Sequence, residues 1–142
     1  MKVLVTGSKG FIGKNLCLYL KNIGHIVFEH DLGSTDDEFV EYIKQCDFII
    51  HLAGINRPLT PEEFIDGNVN FTKKLLDLVS LNNSKAPVIF SSSIQAALDN
   101  LMESPRKLRR INYSGLLKKD IRSMSTGCIT LLASGVVLTT TV

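Results

Sequence analysis

Three glycines near the amino terminus have a spacing that could hold a phosphate. In Lys2–Gly13, KVLVTGSKGFIG, Gly7, Gly10 and Gly13 stand at G-x-x-G-x-x-G. The residues before them, Lys2–Thr6, form an apolar, β-branched run fit for a buried parallel strand, and from Phe11 the pattern turns helical. Strand, glycine turn and helix start, in that order, build a dinucleotide pyrophosphate site. Gly7 allows the tight turn, Gly10 lets backbone approach the phosphates, and Gly13 lets the helix pack close to the strand. The helix start then offers free N–H groups and a positive dipole end to the anion. A purely structural turn is the competing reading.

Other residues extend the chemistry along one rim. Asp31 follows Gly7 by 24 residues, at the end of a second predicted strand. An acid there accepts hydrogen bonds from the adenosine ribose hydroxyls and repels a 2′-phosphate, which argues for NAD over NADP. A solvated loop Asp is the alternative, and neighbouring His30 weakens the discrimination. Ala53-Gly54 ends a third strand, where a small-residue turn lets a cofactor pass close to backbone. Asn68, in GNVNFTK, is placed to tie a helix to the neighbouring strands; Asn68 and Asn70 read equally as surface helix residues. Arg57, in INRP, is a candidate contact for a substrate phosphate or else a solvated loop cation. Ser91–Ser93 sits at the carboxyl end of a fourth strand, the rim where open α/β sheets bind ligand, with cap or turn use as the alternative. His25 and His51 read as packing residues at strand edges.

The elements that position these residues follow from periodicity and punctuation. Phe11–Lys21 carries Phe11, Ile12, Leu16, Tyr19 and Leu20 on one predicted helical face, stopped by Gly24. His25–Asp31 is the second strand. Thr35 or Asp36 can cap a short helix through Lys44, with Phe39, Val40 and Ile43 inward. Asp47–Leu52 is the third strand. Thr60-Pro61-Glu62-Glu63 reads as a helix start in which Thr caps, Pro takes the first position and Glu63 returns the capping-box bond. Helical signal continues to about Leu81, with a break near Gly67, and Val88–Ser91 is the fourth strand. The order β-α-β-α-β-α-β with long crossovers predicts an α/β fold, a Rossmann-type doubly wound parallel sheet.

Composition bounds the function. At 142 residues, 44% hydrophobic and 21% charged, the chain has the content of one soluble globular domain, small for a complete dinucleotide enzyme. A net charge of +2 gives no argument for nucleic acid. Its distribution is uneven: residues 1–100 hold 9 Lys+Arg and 12 Asp+Glu, while residues 101–142 hold 7 and 2. Cys17, Cys46 and Cys128 are not spaced for a metal and read as free thiols in a reducing cytosol. The opening directly into a strand and the short, Thr-rich Gly127–Val142 predict neither a signal peptide nor a membrane span. The expected setting is cytoplasmic.

On these residues the chain resembles an extended short-chain dehydrogenase/reductase. The resemblance rests on VTGSKGFIGKNL, Asp31, DFIIHLAG, GNVNFTKKLL and IFSSSIQA. HLAGINRP and SSSIQAALDN resemble, more closely, the reductase domain of capsular-polysaccharide enzymes that complete UDP-N-acetyl-L-fucosamine. That resemblance covers residues 1–100. It implies an NAD(P)-dependent reduction of a 4-keto sugar nucleotide, with a 4-epimerase/dehydratase or a non-catalytic nucleotide-binding protein as alternatives. The implied cofactor residues are Gly7, Gly10, Phe11, Ile12, Gly13, Asp31, Leu52, Ala53, Gly54 and Asn68. Arg57 and Ser92 fall to the substrate, and Ser93 is the implied catalytic hydroxyl. The family's usual cofactor is NADPH, against the reading of Asp31, so the expected cofactor is NAD(P). A homodimer stays open for the full-length family member, and no metal, nucleic acid or membrane partner is expected.

Past Asn100 the family pattern stops. The resemblance calls for Pro-Tyr-Gly-x-Ser-Lys, where the tyrosine supplies a proton and the lysine lowers its pKa. The chain reads LMESPRKLRR instead, and Tyr113 is followed by SGLL. Shifting the codons by one base from Asn100 permits PYGESKKAEE, and Leu132–Val142 read the same way permits GKWCRPNYNS. Two family motifs in order point to a change of frame. Residues 101–142 are therefore expected to be an out-of-frame tail, and the fold truncated and inactive.

Overall fold

The computed structural model describes residues 1–55, 57–83, 85–92 and 128–132, the last five and Ser92 by backbone alone. Five strands make one parallel sheet in the order β2-β1-β3-β4-β5. They are β1 (Lys2–Thr6), β2 (Ile26–His30), β3 (Phe48–His51), β4 (Val88–Ser92) and β5 (Cys128–Leu132). Val3 lies between Val27 of β2 and Phe48 of β3, and Thr6 between His30 and His51. The chain runs outward from β1 to β2, then crosses to β3 on the other side. That reversal is where a doubly wound sheet opens a crevice at its carboxyl edge.

Alternation along the strands divides the core. Leu4, Ile49 and Val88 pack with Phe39 and Ile43 of α2 (Asp36–Gln45) and with Leu75 and Val79 of α4 (Phe71–Asn82). Val3 and Val5 face the other way, onto Cys17 and Leu20 of α1 (Phe11–Asn22). Helices thus cover both faces, as β-α-β crossovers of one hand require.

The helix faces differ in part from expectation. In α1 the buried residues are Gly13, Cys17 and Leu20, whereas Phe11, Ile12 and Tyr19 are exposed. The i, i+4, i+7 row that starts at Gly13 wins because only a residue without a side chain lets the helix reach the sheet at its first turn. In α2 the cap is Thr35, not Asp36: Thr35 Oγ1 accepts from Glu38 N–H and Glu38 Oε2 accepts from Thr35 N–H. At α3 (Pro61–Phe64) Thr60 caps Glu63 N–H, but the Glu63 carboxylate accepts from Leu59 N–H at 2.7 Å rather than from Thr60. The break predicted near Gly67 is a widened, π-helical turn over Ile65–Asn70 that leads without interruption into α4.

β5 is a second departure. It falls inside the stretch read as an out-of-frame tail, where no strand was expected. Cys128–Leu132 nevertheless pairs in parallel with all of β4, from Val88↔Cys128 to Ser92↔Leu132. A β-branched, uncharged run is sufficient for a strand beside a sheet edge.

Candidate functional site

The glycine turn is held between the ends of three strands. Gly7 adopts φ +72°, and its N–H donates to the His30 carbonyl at 3.0 Å. Ser8 donates to the same carbonyl from its N–H and its hydroxyl, both at 3.3 Å. A Cβ on Gly7 would stand 2.7 Å from Ala53 N, so the turn lies in direct contact with the Leu52–Ala53 peptide of the β3 end. A Cβ on Gly13 would overlap the Gly7 carbonyl oxygen and approach Ser8 Cα to 2.8 Å. Both positions exclude side chains for steric reasons.

Gly10 caps α1 with no side-chain hydrogen bond, and the first turn of α1 carries no acid. Its amides are left to an outside acceptor, with the dipole aiding an anion. The cleft in front of them has a volume of about 830 Å³. The candidate cofactor residues Gly7, Gly10, Asp31, Leu52, Ala53 and Gly54 line it together, and so do His30, Leu32, Phe71 and Lys74.

Asp31 joins the glycine turn to the β2 end. Its Oδ2 accepts from Lys9 N–H at 2.6 Å and its Oδ1 from Leu32 N–H at 2.8 Å. Its own N–H donates to Ser34 Oγ at 3.2 Å, and Ser34 N–H returns to its carbonyl at 3.0 Å. The carboxylate is therefore an oriented wall of the cleft, not a solvated loop acid. His30 is no counterweight to its charge. The ring is buried and stacked on Phe39, with centroids 3.9 Å apart, and on Phe71 at 5.7 Å. Burial lowers its pKa against the pull of Asp31, and Nδ1 has no hydrogen-bond partner among the described residues. Lys74, a cation of the cleft lining, is paired with Asp36 at 2.6 Å, which lowers the Asp36 pKa.

Asn68 is not a surface residue. It is 8% exposed; Oδ1 accepts from Ile55 N–H at 2.8 Å, and Nδ2 donates to Ile55 O at 3.1 Å and Phe64 O at 2.9 Å. It clamps the segment after β3 onto the π-helical turn, a position typical of functional distortions in helices. Asn70, by contrast, is exposed and bonds Asp66.

Other predicted residues lie apart. The side chains of Phe11 and Ile12, at the start of α1, are 87% and 62% exposed and outside the cleft lining, so these two residues can meet a ligand there only through their backbone amides. Arg57 is exposed and outside it. Ser92 ends β4, and Ser93 lies outside the described residues. Among the described residues no His, Cys, Asp and Glu groups could hold a metal, and no helix is long and apolar enough to cross a membrane.

His51 packs inside the fold at the end of β3, against Phe71 and Phe90. It is 1% exposed and hydrogen-bonded at both nitrogens, and its desolvation lowers the pKa to about 4. Sequence reasoning missed Leu32, Phe71 and Lys74, whose types and spacing carry no signal until the turn after β2 and the helix α4 face each other.

The fold, the switch-point cleft and the glycine turn define a nicotinamide-dinucleotide-binding Rossmann protein. The chain belongs to the NAD dependent epimerase/dehydratase family, whose model matches residues 3–109. It is 48% identical over 101 residues to a UDP-2-acetamido-2,6-beta-L-arabino-hexul-4-ose reductase of Pseudomonas aeruginosa, over 70% of this chain and 27% of the relative. It is 36% identical over 111 residues to a GDP-6-deoxy-D-talose 4-dehydrogenase of Aggregatibacter actinomycetemcomitans, over 66% of this chain and 35% of the relative. The chain thus spans between a quarter and about a third of the length of these curated relatives. Among solved structures, the capsular polysaccharide assembling protein CapF from Staphylococcus aureus matches with a TM-score of 0.69 and 34% identity, over 92% of this chain and 34% of CapF. A short-chain dehydrogenase/reductase of Agrobacterium tumefaciens with bound NAD shares the fold, at a TM-score of 0.72 and 22% identity, over 93% of this chain and 48% of that one.

Proposed function

We propose that this chain is the cofactor-binding part of a reductase that acts on a 4-keto sugar nucleotide of the UDP-2-acetamido-2,6-dideoxy-hexulose type, in the synthesis of O-antigen or capsular polysaccharide precursors. The observation that carries this reading is the glycine turn seated on Ala53 at the cleft, in a chain 48% identical to a reductase of that substrate class. The α1 amides would hold the pyrophosphate and Asp31 the adenosine ribose. Leu52, Ala53 and Gly54 would form the floor, kept in place by Asn68. The bound cofactor supplies the hydride. Arg57 and Ser92 would contact the sugar nucleotide, and Ser93 would hydrogen-bond the carbonyl that is reduced.

The oriented Asp31 carboxylate, beside a His30 kept neutral by burial, supports an unphosphorylated cofactor over NADPH. The Tyr-x-x-x-Lys pair that would donate the proton is not in the sequence, and this supports binding without turnover. A change of frame after Asn100 remains our account of that loss. Resequencing the codons around Asn100 tests it: an extra or missing base restores the family's reading frame, and an unaltered sequence means that the gene itself is broken there or repurposed.

The function itself is tested by titrating the chain with NADH and NADPH while following its unfolding temperature and the cofactor fluorescence. Saturable stabilisation, stronger with NADH, is the expected result. No stabilisation by either cofactor overturns the reading. A 4-epimerase or dehydratase is the second reading, supported by the breadth of the matched family. It predicts tightly retained oxidised cofactor rather than exchangeable NADH.

A further inference from the structure

Thr6, His51 and Thr72 form a polar chain through an otherwise apolar layer. They are 0%, 1% and 2% exposed and come from β1, β3 and α4. Thr6 Oγ1 is 2.6 Å from His51 Nδ1, and His51 Nε2 is 2.9 Å from Thr72 Oγ1. Three aliphatic residues would fill this space without burying polar atoms, so the chain calls for a purpose other than filling volume.

The outer end of the chain shows that purpose. Thr6 Oγ1 also accepts the Ala53 N–H at 3.3 Å, and Leu52 N–H donates to the Thr6 carbonyl at 3.1 Å. Thr6 thus bonds both residues of the peptide on which Gly7 rests. With the Ala53 N–H occupying one lone pair, the Thr6 hydroxyl hydrogen is free to donate to Nδ1. Either neutral tautomer of the imidazole satisfies both distances; with the hydrogen on Nε2, Thr6 donates to Nδ1 and Nε2 donates to Thr72. In this arrangement every hydrogen bond has one direction, and the Thr6 oxygen is aimed at Ala53. The rings beside His51 are Phe71 at 5.7 Å and Phe90 at 5.2 Å, and among the described residues its pKa is moved by burial.

We propose that His51 is a positioning residue for the dinucleotide: by orienting the Thr6 hydroxyl it fixes the Leu52–Ala53 peptide against the Gly7 turn and so sets the width of the pyrophosphate cradle. The proposal rests on the reading of the cleft as a dinucleotide site. It adds a residue that neither lines that cleft nor touches the ligand.

The test compares affinities for ADP-ribose, which spans the cradle, and AMP, which stops at its first phosphate, in the full chain and four variants. Thr6→Val keeps the shape but removes the hydroxyl; it is expected to weaken ADP-ribose about tenfold and AMP about twofold or less. Thr6→Ser restores the hydroxyl and both affinities. Thr72→Val, remote from Ala53, frees the imidazole and weakens ADP-ribose about threefold, again sparing AMP. His51→Leu follows Thr6→Val. Unfolding temperatures of the ligand-free variants separate this from general loosening. A lowered unfolding temperature with an unchanged ratio of the two affinities overturns the positioning role and leaves the dinucleotide site standing. Failure of the unaltered chain to bind ADP-ribose or NADH overturns both.

Discussion

The first two helices both begin just beyond the carboxyl end of a strand, yet their first turns are built in opposite ways. α2 is closed: Thr35 and Glu38 exchange bonds in a capping box, and Asp36, Asp37 and Glu38 place three acids on the positive end of the dipole. α1 is open: Gly10 offers no side chain, and no acid follows. A helix start left without its own acceptors gives its first amides to water or to a bound anion, and only the anion also gains from the helix dipole. α2 serves the scaffold, and α1 is held in readiness by packing, through Gly13, Cys17 and Leu20, rather than by its cap.

The comparison breaks most sharply at Gly13. Gly13→Ala would drive a methyl group into the Gly7 carbonyl, so the α1 start must move away from the turn. A loss of NADH affinity of about a hundredfold is expected, with a lower unfolding temperature. Gly24→Ala is the control. Gly24 has φ +84° but nothing within 4 Å of its added methyl, so about 1 kcal/mol of stability should go while NADH affinity stays unchanged. Equal losses of affinity in the two variants would remove Gly13 from the site.

Making α1 resemble α2 is the next largest perturbation. Gly10 has φ −68° and ψ 168°, which any residue adopts, and its added Cβ meets only the Gly7 carbonyl at 3.2 Å. Gly10→Asp would therefore supply the missing cap. It is expected to raise helix stability by up to about 1 kcal/mol and weaken NADH about thirtyfold, because a carboxylate then occupies the anion site. Opposite signs in the two measurements are the diagnostic result. Weakened binding with weakened folding would instead mean a steric clash.

The anion site should end at Asp31. Asp31→Ala removes the acceptors that Lys9 N–H and Leu32 N–H now use. NADH affinity is expected to fall about tenfold and NADPH affinity to fall less, so the ratio between them narrows. A ratio that stays constant would mean that the carboxylate acts only as a hinge between turn and strand.

How much of this could be read in the sequence follows the same division. Local signals were legible: the glycine spacing, the four strands up to Ser92, and the Thr35 and Thr60 caps all depend on neighbours within a few residues. Asn68 was half legible, since its type suggested a tie but its partner, Ile55, lies 13 residues away. The inward face of α1 was misjudged, because large apolar residues at Phe11 and Ile12 outweighed a glycine in the pattern, although Gly13 decides the contact. The neutral state of His30 was not legible at all. It arises from Phe39 and Phe71, which reach the ring from two different helices. β5 was missed for a related reason, since only an available edge on β4 makes that run a strand.

Removing the cap of α2 should be felt by stability alone. Thr35→Ala takes the side-chain acceptor from Glu38 N–H and leaves only the bond from the backbone N–H of residue 35 to Glu38 Oε2, at a cost of about 1 kcal/mol. Thermal unfolding should show that loss, and NADH titration should show none. A change in NADH affinity would mean that α2 also carries the cleft, through Asp36 and its bond to Lys74.

The smallest expected effect distinguishes the two helix starts by pH. The Asp36 carboxylate is held below the ordinary range by its hydrogen bond to Lys74. A carboxylate depressed in the folded state contributes stability that is fully present above its unfolded value, near 3.8, and is lost as pH falls through the folded value. The first turn of α2 therefore loses this ion pair in acid, whereas the first turn of α1 contains no acid to protonate. Amide hydrogen exchange followed from pH 5 to pH 3, after correction for the intrinsic rate, should show protection falling first at Asp37 to Phe39 and later at Phe11 to Gly13. Lys74→Met should remove part of that difference by taking away the ion pair. Simultaneous loss at both helices would mean that the acid transition is global, and that the cap of α2 is not a separate unit of stability.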